Sequence, residues 1–440
     1  MIYIVALLIA LALIIFGIVR LKIHPFFVLL VASILYGFIT GMEVSQIIAA
    51  VNDGFGSLMG KIGLIIFFGV VLGTVLEKSG GAMVIATRLI NLIGQKSIHL
   101  AMMLTGFLLS IPVFVDSAFI IMNSLNKALS QKAKVAYAGT TAALALGLMA
   151  THVMVPPTPG PIAAAGILGA ELGSVILWGA CISALALVPC YFFAKKVASK
   201  IQVPIPIEKV AAAAHKPKLR IALLAIVIPI ILIIAKSIFD YPELALKMTS
   251  IYPVIEFLGT PVIALFVGVL LSLLLPNKLD ETVYGASGWF GDAVRIAAPI
   301  ILITGAGGIF GAMLQSSGMA EFIAEYFQDI SIGLLLPFLL AACLKTAQGS
   351  STVALITAAS IVAPMMTGLG LDEPFMKTMT VLAIGAGSTV VSHANDSFFW
   401  VVTQLTGMNV KQGNQIQTVG TLIFGVSAIC IIYCIVTLLS

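Results

Sequence analysis

Apolar residues run through this chain in long blocks, and the polar residues gather where the blocks are joined or interrupted. Ile2 to Val19 is a first block long enough to cross a bilayer as a helix, and others follow at Gly63 to Leu76, Ile221 to Ile238, a stretch ending near Leu275, and Ile296 to Leu314. Backbone in hydrocarbon has to satisfy its own hydrogen bonds, so these blocks are predicted to be α-helices. Four blocks break the pattern. Ile98 to Leu125 has 28 residues (125 − 98 + 1), too few for two spans of about 20 each, and carries Pro112 to Asp116 near its middle. Val135 to Ala194 is interrupted by THVMVPPTPGP, where Pro156, Pro157 and Pro159 cannot continue a helix. In the second half, Ile332 to Val362 carries LKTAQGSSTVALITAAS, and a later block contains STVVSHANDSFFW.

The basic residues orient these blocks, because loops rich in Lys and Arg stay on the cytoplasmic side. Lys195, Lys196, Lys200, Lys209, Lys216, Lys218 and Arg220, with Pro204, Pro206 and Pro217, form a polar linker predicted to be cytoplasmic. Arg20 with Lys22 marks the inner end of the first helix, which puts the N-terminus outside. Arg88 with Lys96, and Lys127, Lys132 and Lys134, are also placed inside. The segment 98–125 therefore leaves from and returns to one side, as a re-entrant hairpin. Carried onward, the count gives a second hairpin at 332–362 dipping in from outside, broken helices at 135–168 and 378–404, and both termini in the periplasm.

Two stretches are versions of one another. GVVLGTVLEKSGGAMVIA (Gly69 to Ala86) and GGIFGAMLQSSGMAEFIA (Gly307 to Ala324) lie 238 positions apart (307 − 69) and share eight identities in eighteen, among them Gly69 with Gly307 and Gly73 with Gly311. Thr151-His152 and Ser392-His393 pair at a spacing of 241 (392 − 151). The first copy runs inward and the second outward, so the halves read as inverted repeats of the kind that place a shared site near mid-membrane. The expected fold is an all-α polytopic membrane protein of two inverted-topology repeats. It has about ten transmembrane helices, two re-entrant hairpins and two broken helices. Residues 1–200 form the first half, 201–220 the linker and 221–440 the second half.

Composition agrees with this and narrows the function. Hydrophobic residues make up 60% of the chain and charged ones 9%, with a mean hydropathy of +1.15, more apolar surface than a soluble fold can hide. The first block has no basic stretch before it and no small-residue cleavage site after it, so it is read as retained. Cys181, Cys190, Cys343, Cys430 and Cys434 lie in apolar runs without metal-ligand spacing and are expected to be buried and inert. GFGSLMGK (Gly54 to Lys61) lacks the spacing and the final Ser or Thr of a nucleotide-binding loop. No metal-ligand cluster and no nucleophile paired with a base points to an enzyme. No cofactor and no nucleic-acid partner are expected. A transporter driven by an ion gradient fits best, and an anion channel is the rival from another class.

The chemistry sits in the four interruptions. Ser110, Asp116 and Ser117 belong to the first hairpin, and Thr151, His152 and Thr158 to the first break. Lys345, Gln348, Ser350, Ser351 and Thr352 belong to the second hairpin, and Ser392, His393, Asn395 and Asp396 to the second break. Charges at membrane depth are costly and usually functional. Hairpin turns and half-helix N-termini present free N–H groups and a positive dipole end, which suits a small organic acid anion with Lys345 as counter-charge. Asp116, His152, His393 and Asp396 are the candidates for carrying a coupled proton. Plainer readings stand beside these. Lys345 and Asp116 can form a structural salt bridge, the two histidines can cap broken helices, Asp396 can cap the half-helix starting at Ser397, and the paired glycines can serve close packing. His24, His99 and His215 are read as solvated.

These segments resemble the gluconate permease family. THVMVPPTPGP is similar to that family's THxxxPPHPGP, LKTAQGSSTVALITAA to its second hairpin, and GAGSTVVSHANDSFFW followed by GMNVKQ to its C-terminal break. The likeness extends to the SGGAxxIA repeat and the IPVFVDSAF hairpin. The resemblance implies a proton-coupled symporter of the bacterial inner membrane that imports gluconate or a related hydroxy or sugar acid. It further implies a homodimer in which a scaffold flanks a moving domain carrying both hairpins. Thr158 stands where many members have histidine, and FVDSAF where many have FFDVGF, which leaves a shorter hydroxy acid, a keto acid or a D-amino acid open as substrate.

Overall fold

Two long helices, Val44–Lys78 and Trp289–Ser316, cross so closely that a Cβ on Gly54 would stand 2.7 Å from the Gly308 carbonyl oxygen. Glycine at the crossing removes the side chain that would hold the backbones apart, the usual device of helix association in lipid. Lys78 and Asp292 then form an ion pair at one end of the crossing, joined by Arg295. The computed structural model describes residues 2–94, 97–203, 217–240, 249–319, 333–394 and 396–439. All regular elements among them are helical. His215, Asn395, most of the 201–220 linker and the part of the repeat from residue 320 to 324 lie outside the described residues.

Six described helices are long and apolar enough to cross a membrane, seven if Tyr252–Gly259 and Pro261–Ser272 count as one bent span. These two meet at 71° where Thr260 adopts an extended backbone ahead of Pro261, as the residue before a proline prefers. Ile2–Val19 is helical as expected. The long Val44–Lys78 helix begins 19 residues before the apolar block at Gly63 (63 − 44), because Asn52, Asp53, Ser57 and Lys61 interrupt its hydropathy without interrupting the helix.

Burial separates the centre from the rim. Tyr137–Met154 is buried along its whole length, whereas Leu219–Asp240 is only 22% buried over its most apolar stretch, so the first is walled by protein and the second faces lipid. In the first half Ile98–Leu109 packs on Tyr137–Met154, where a Cβ on Gly147 would come within 2.1 Å of the Met103 carbonyl oxygen. In the second, Leu335–Gln348 packs on Pro374–Gly387 by the same device, with Gly387 against the Phe338 carbonyl. Gly160 meets Leu355, and Phe119 meets Phe398 edge to face at 5.9 Å, so the interrupted segments of both halves form one bundle.

Two sequence readings are corrected. His99 is buried, with its Nε2 3.0 Å from the Ser199 hydroxyl, because the helix Ile98–Leu109 starts directly beneath Ala198–Lys200. Of the five cysteines only Cys190 is buried; the other four lie on exposed helix faces. In a membrane protein an apolar run has an outer face that meets lipid, so hydropathy alone does not mark burial.

Candidate functional site

Each interruption is built by a local rule. Leu335–Gln348 ends at Gly349, whose φ of 88° suits glycine, and the Ser350 hydroxyl then accepts from the Val353 N–H at 3.3 Å to start Ser351–Val362. The first hairpin turns through Ser110 to Phe114, with the Ser110 hydroxyl donating to the Val113 carbonyl, and Asp116 falls in the first turn of Val115–Ala133. A carboxylate there complements the positive end of the helix dipole. The first break lies between Tyr137–Met154 and Pro159–Leu168, and Thr158 donates its hydroxyl to the Val155 carbonyl at 2.7 Å. Pro374–Gly387 and Ser397–Thr406 flank the second break, where Asp396 accepts from the Phe398 N–H at 3.0 Å.

These four turns meet around one ion pair. The Lys345 ammonium donates to Asp396 Oδ2 at 2.6 Å and also to the Gly349 carbonyl, with the lysine fully buried. Asp396 accepts in addition from the Ser392 hydroxyl. The acid bonded to Lys345 is therefore Asp396 and not Asp116, and Asp396 also serves as the cap of its half-helix. Asp116 and His152 lie within electrostatic range of the same pair.

Around the pair, several buried polar atoms lack partners. Asp116 Oδ1, His152 Nδ1, both amide atoms of Gln348 and the Ser351 hydroxyl have no hydrogen bond within the protein. An unsatisfied buried polar group costs about 1–3 kcal/mol, so such a cluster marks a place prepared for something else. The other predicted residues are engaged or marginal. Thr151 donates to the Phe107 carbonyl at 2.8 Å, and His393 Nε2 lies 3.0 Å from the Thr346 carbonyl oxygen. Ser117 sits beside the Glu77 carboxylate of the long helix, and Thr352 is half-buried. No cluster of three candidate metal ligands occurs among the described residues.

Sequence reasoning missed Thr418 and Thr421. The Thr418 hydroxyl donates to the Ser392 carbonyl at 2.5 Å and the Thr421 hydroxyl accepts from the Ser392 N–H at 3.2 Å, so the last helix clasps the second break. The signal was available, since both fall at the polar edge of an apolar block, where Asn414–Thr418 forms a π-turn.

Residues 2–439 match the GntP family of permeases, practically the whole chain. The chain belongs to that family. Among its relatives is a gluconate permease of Pseudomonas aeruginosa, 33% identical over 90% of this chain and 89% of the other. The D-serine transporter DsdX of Escherichia coli strain K12 is 32% identical over 96% of each. The crystal structure of the Alcanivorax borkumensis YdaH transporter has the same fold, with a TM-score of 0.70 at 14% identity, covering 94% of this chain and 99% of that one. This GntP permease is thus a multi-pass membrane transporter and not an enzyme, and the Lys345–Asp396 pair lies inside its helical bundle.

Proposed function

We propose that this permease is a proton-coupled symporter that imports gluconate or a related small hydroxy or sugar acid across the bacterial inner membrane. The observation that carries the reading is the set of unpartnered atoms on Asp116, His152, Gln348 and Ser351, two side chains from each half, converging beside a buried ion pair. A hydroxy acid supplies what they lack. Its carboxylate accepts from the Gln348 amide, the Ser351 hydroxyl and the free N–H groups at the turn, while its hydroxyls donate to Asp116 and His152.

Ser110, Thr151, Thr158, Ser350, Thr352 and Ser392 complete the proposed walls. Asp116 and His152 are the favoured proton carriers, because His393 and Asp396 already hold bonds. The proposed framework is two inverted repeats of about ten spans with both termini periplasmic, acting as a homodimer. Alternating access then moves the bundle, and the site it carries, past the long helices. A second reading, a D-amino acid such as D-serine, is favoured by the free carboxylate oxygen of Asp116, which would receive an ammonium group.

Proteoliposomes loaded at neutral pH and diluted into acidic buffer decide between these. Saturable uptake of labelled gluconate that collapses with a protonophore supports the first reading. Uptake of D-serine alone supports the second, and an ohmic current without saturation defeats both.

A further inference from the structure

Lys61 is the middle residue of Val44–Lys78, with 17 helical residues on each side (61 − 44 and 78 − 61). A lysine within a membrane-spanning helix is costly unless water or a counter-charge meets it. It has no ion-pair partner among the described residues. It is instead exposed, and it lines two adjoining cavities of about 530 and 510 Å³. The first also takes in Asp53, Ser57, Gln315 and Thr367 beside Gly307, Gly308 and Gly311, so polar groups of both charge signs share it with apolar ones.

The repeat explains what Lys61 stands ready for. By the 238-residue spacing Gly69 matches Gly307 and Gly73 matches Gly311, yet their neighbours are out of step. A Cβ on Gly73 would meet the carbonyl oxygen of Pro112, within the first hairpin's turn. On Gly307 it would meet Ile356 and Ser360, and on Gly311 the Ser360 carbonyl, ten residues past the second hairpin's turn at Ser350 (360 − 350). Ten helical residues amount to about 15 Å. The residues 238 positions before Ile356 and Ser360 are Ala118 and Met122 (356 − 238 and 360 − 238). If the first half adopted the register of the second, Ala118 and Met122 would lie against Gly69 and Gly73, and Pro112 would move ten residues along the long helix to the level of Gly63, two residues from Lys61.

We propose that Lys61 is a fixed docking site for the carboxylate of the substrate, used when the first hairpin's turn stands opposite it; this rests on the anion-import reading. Glu77, 16 residues (77 − 61) and about 24 Å further along the same helix, is the acid beside Ser117 in the register seen here. Lys78 adjoins Glu77 and Asp53 shares the cavity with Lys61, so the two stations differ in which group faces the hairpin's turn, Lys61 at one and Glu77 at the other. Such an arrangement favours capture at one station and release at the other.

Two arms test this in reconstituted full-length protein. With labelled gluconate as the probe, Lys61→Gln is expected to raise KM at least tenfold with Vmax changed less than twofold, and Lys61→Arg to restore KM. An unchanged KM in Lys61→Gln overturns the docking role while leaving the transporter reading intact. In a cysteine-free background, Ile62→Cys with Pro112→Cys is expected to form a disulfide under oxidation, and failure to do so overturns the register on which the proposal stands. If wild-type protein takes up no gluconate, the substrate reading fails, and the disulfide arm decides the placement of Lys61 alone.

Discussion

Lys345 and Asp396 join two different interrupted segments across 51 residues of sequence, ammonium to carboxylate at 2.6 Å, with side-chain exposures of 0% and 4%. A pair this deep gains little net stability, because removing both charges from water offsets most of their attraction. Its retention beside the unpartnered cluster points to a role in the transport cycle. Removing one partner strands the other.

Lys345→Ala should therefore cost about 3–5 kcal/mol, seen as a lowered Tm in detergent, and abolish uptake. The double variant Lys345→Met with Asp396→Leu should recover at least half of that stability and none of the uptake. Equal Tm losses for single and double variants would show that the charge pair is not the source of the effect.

Gln348→Ala and Ser351→Ala should have the opposite signature. Each removes polar atoms that have no partner in the unliganded protein, so Tm without substrate should hold or rise slightly. The stabilisation by gluconate in a thermal-shift titration should shrink at least tenfold in apparent affinity. A fall in substrate-free Tm of several degrees would mean these side chains are structural.

Asp116→Asn separates coupling from binding. The amide keeps the shape but cannot exchange a proton, so gluconate counterflow between preloaded and external pools should survive within about fivefold. Accumulation driven by a pH gradient should be lost. Retained accumulation would move the coupling role to His152.

Glycine spacing gives a test of stability. Gly147→Ala places a methyl 2.1 Å from the Met103 carbonyl oxygen and should destabilise by about 1–3 kcal/mol through overpacking. Gly60→Ala, with nothing within 4 Å of its new Cβ, should instead raise stability by up to about 1 kcal/mol. The comparison of the two melting temperatures checks both.

The interruptions were legible because prolines, glycines and hydroxyls write them directly into the chain: Pro156 to Pro159 and Gly349-Ser350 break helices by local rules that need no tertiary knowledge. The partner of Lys345 was not legible. Asp116 and Asp396 are both acids at similar depth, and only the packing of Leu335–Gln348 on Pro374–Gly387 chooses between them. Lys61 was passed over for the same reason that Val44–Lys78 was read too short. A lone lysine lowers local hydropathy, and one-dimensional averaging cannot tell a helix passing a wet cavity from a loop. The exposed cysteines and the buried His99 show the converse, since lipid and protein look alike to a hydropathy scale.

The grip of Thr418 and Thr421 on Ser392 has a bearing on biosynthesis. These threonines follow Ser392 by 26 and 29 residues, so the second break stays unfastened until the helix beyond it has been inserted. A polypeptide cut short before Thr418 accordingly lacks this fastening.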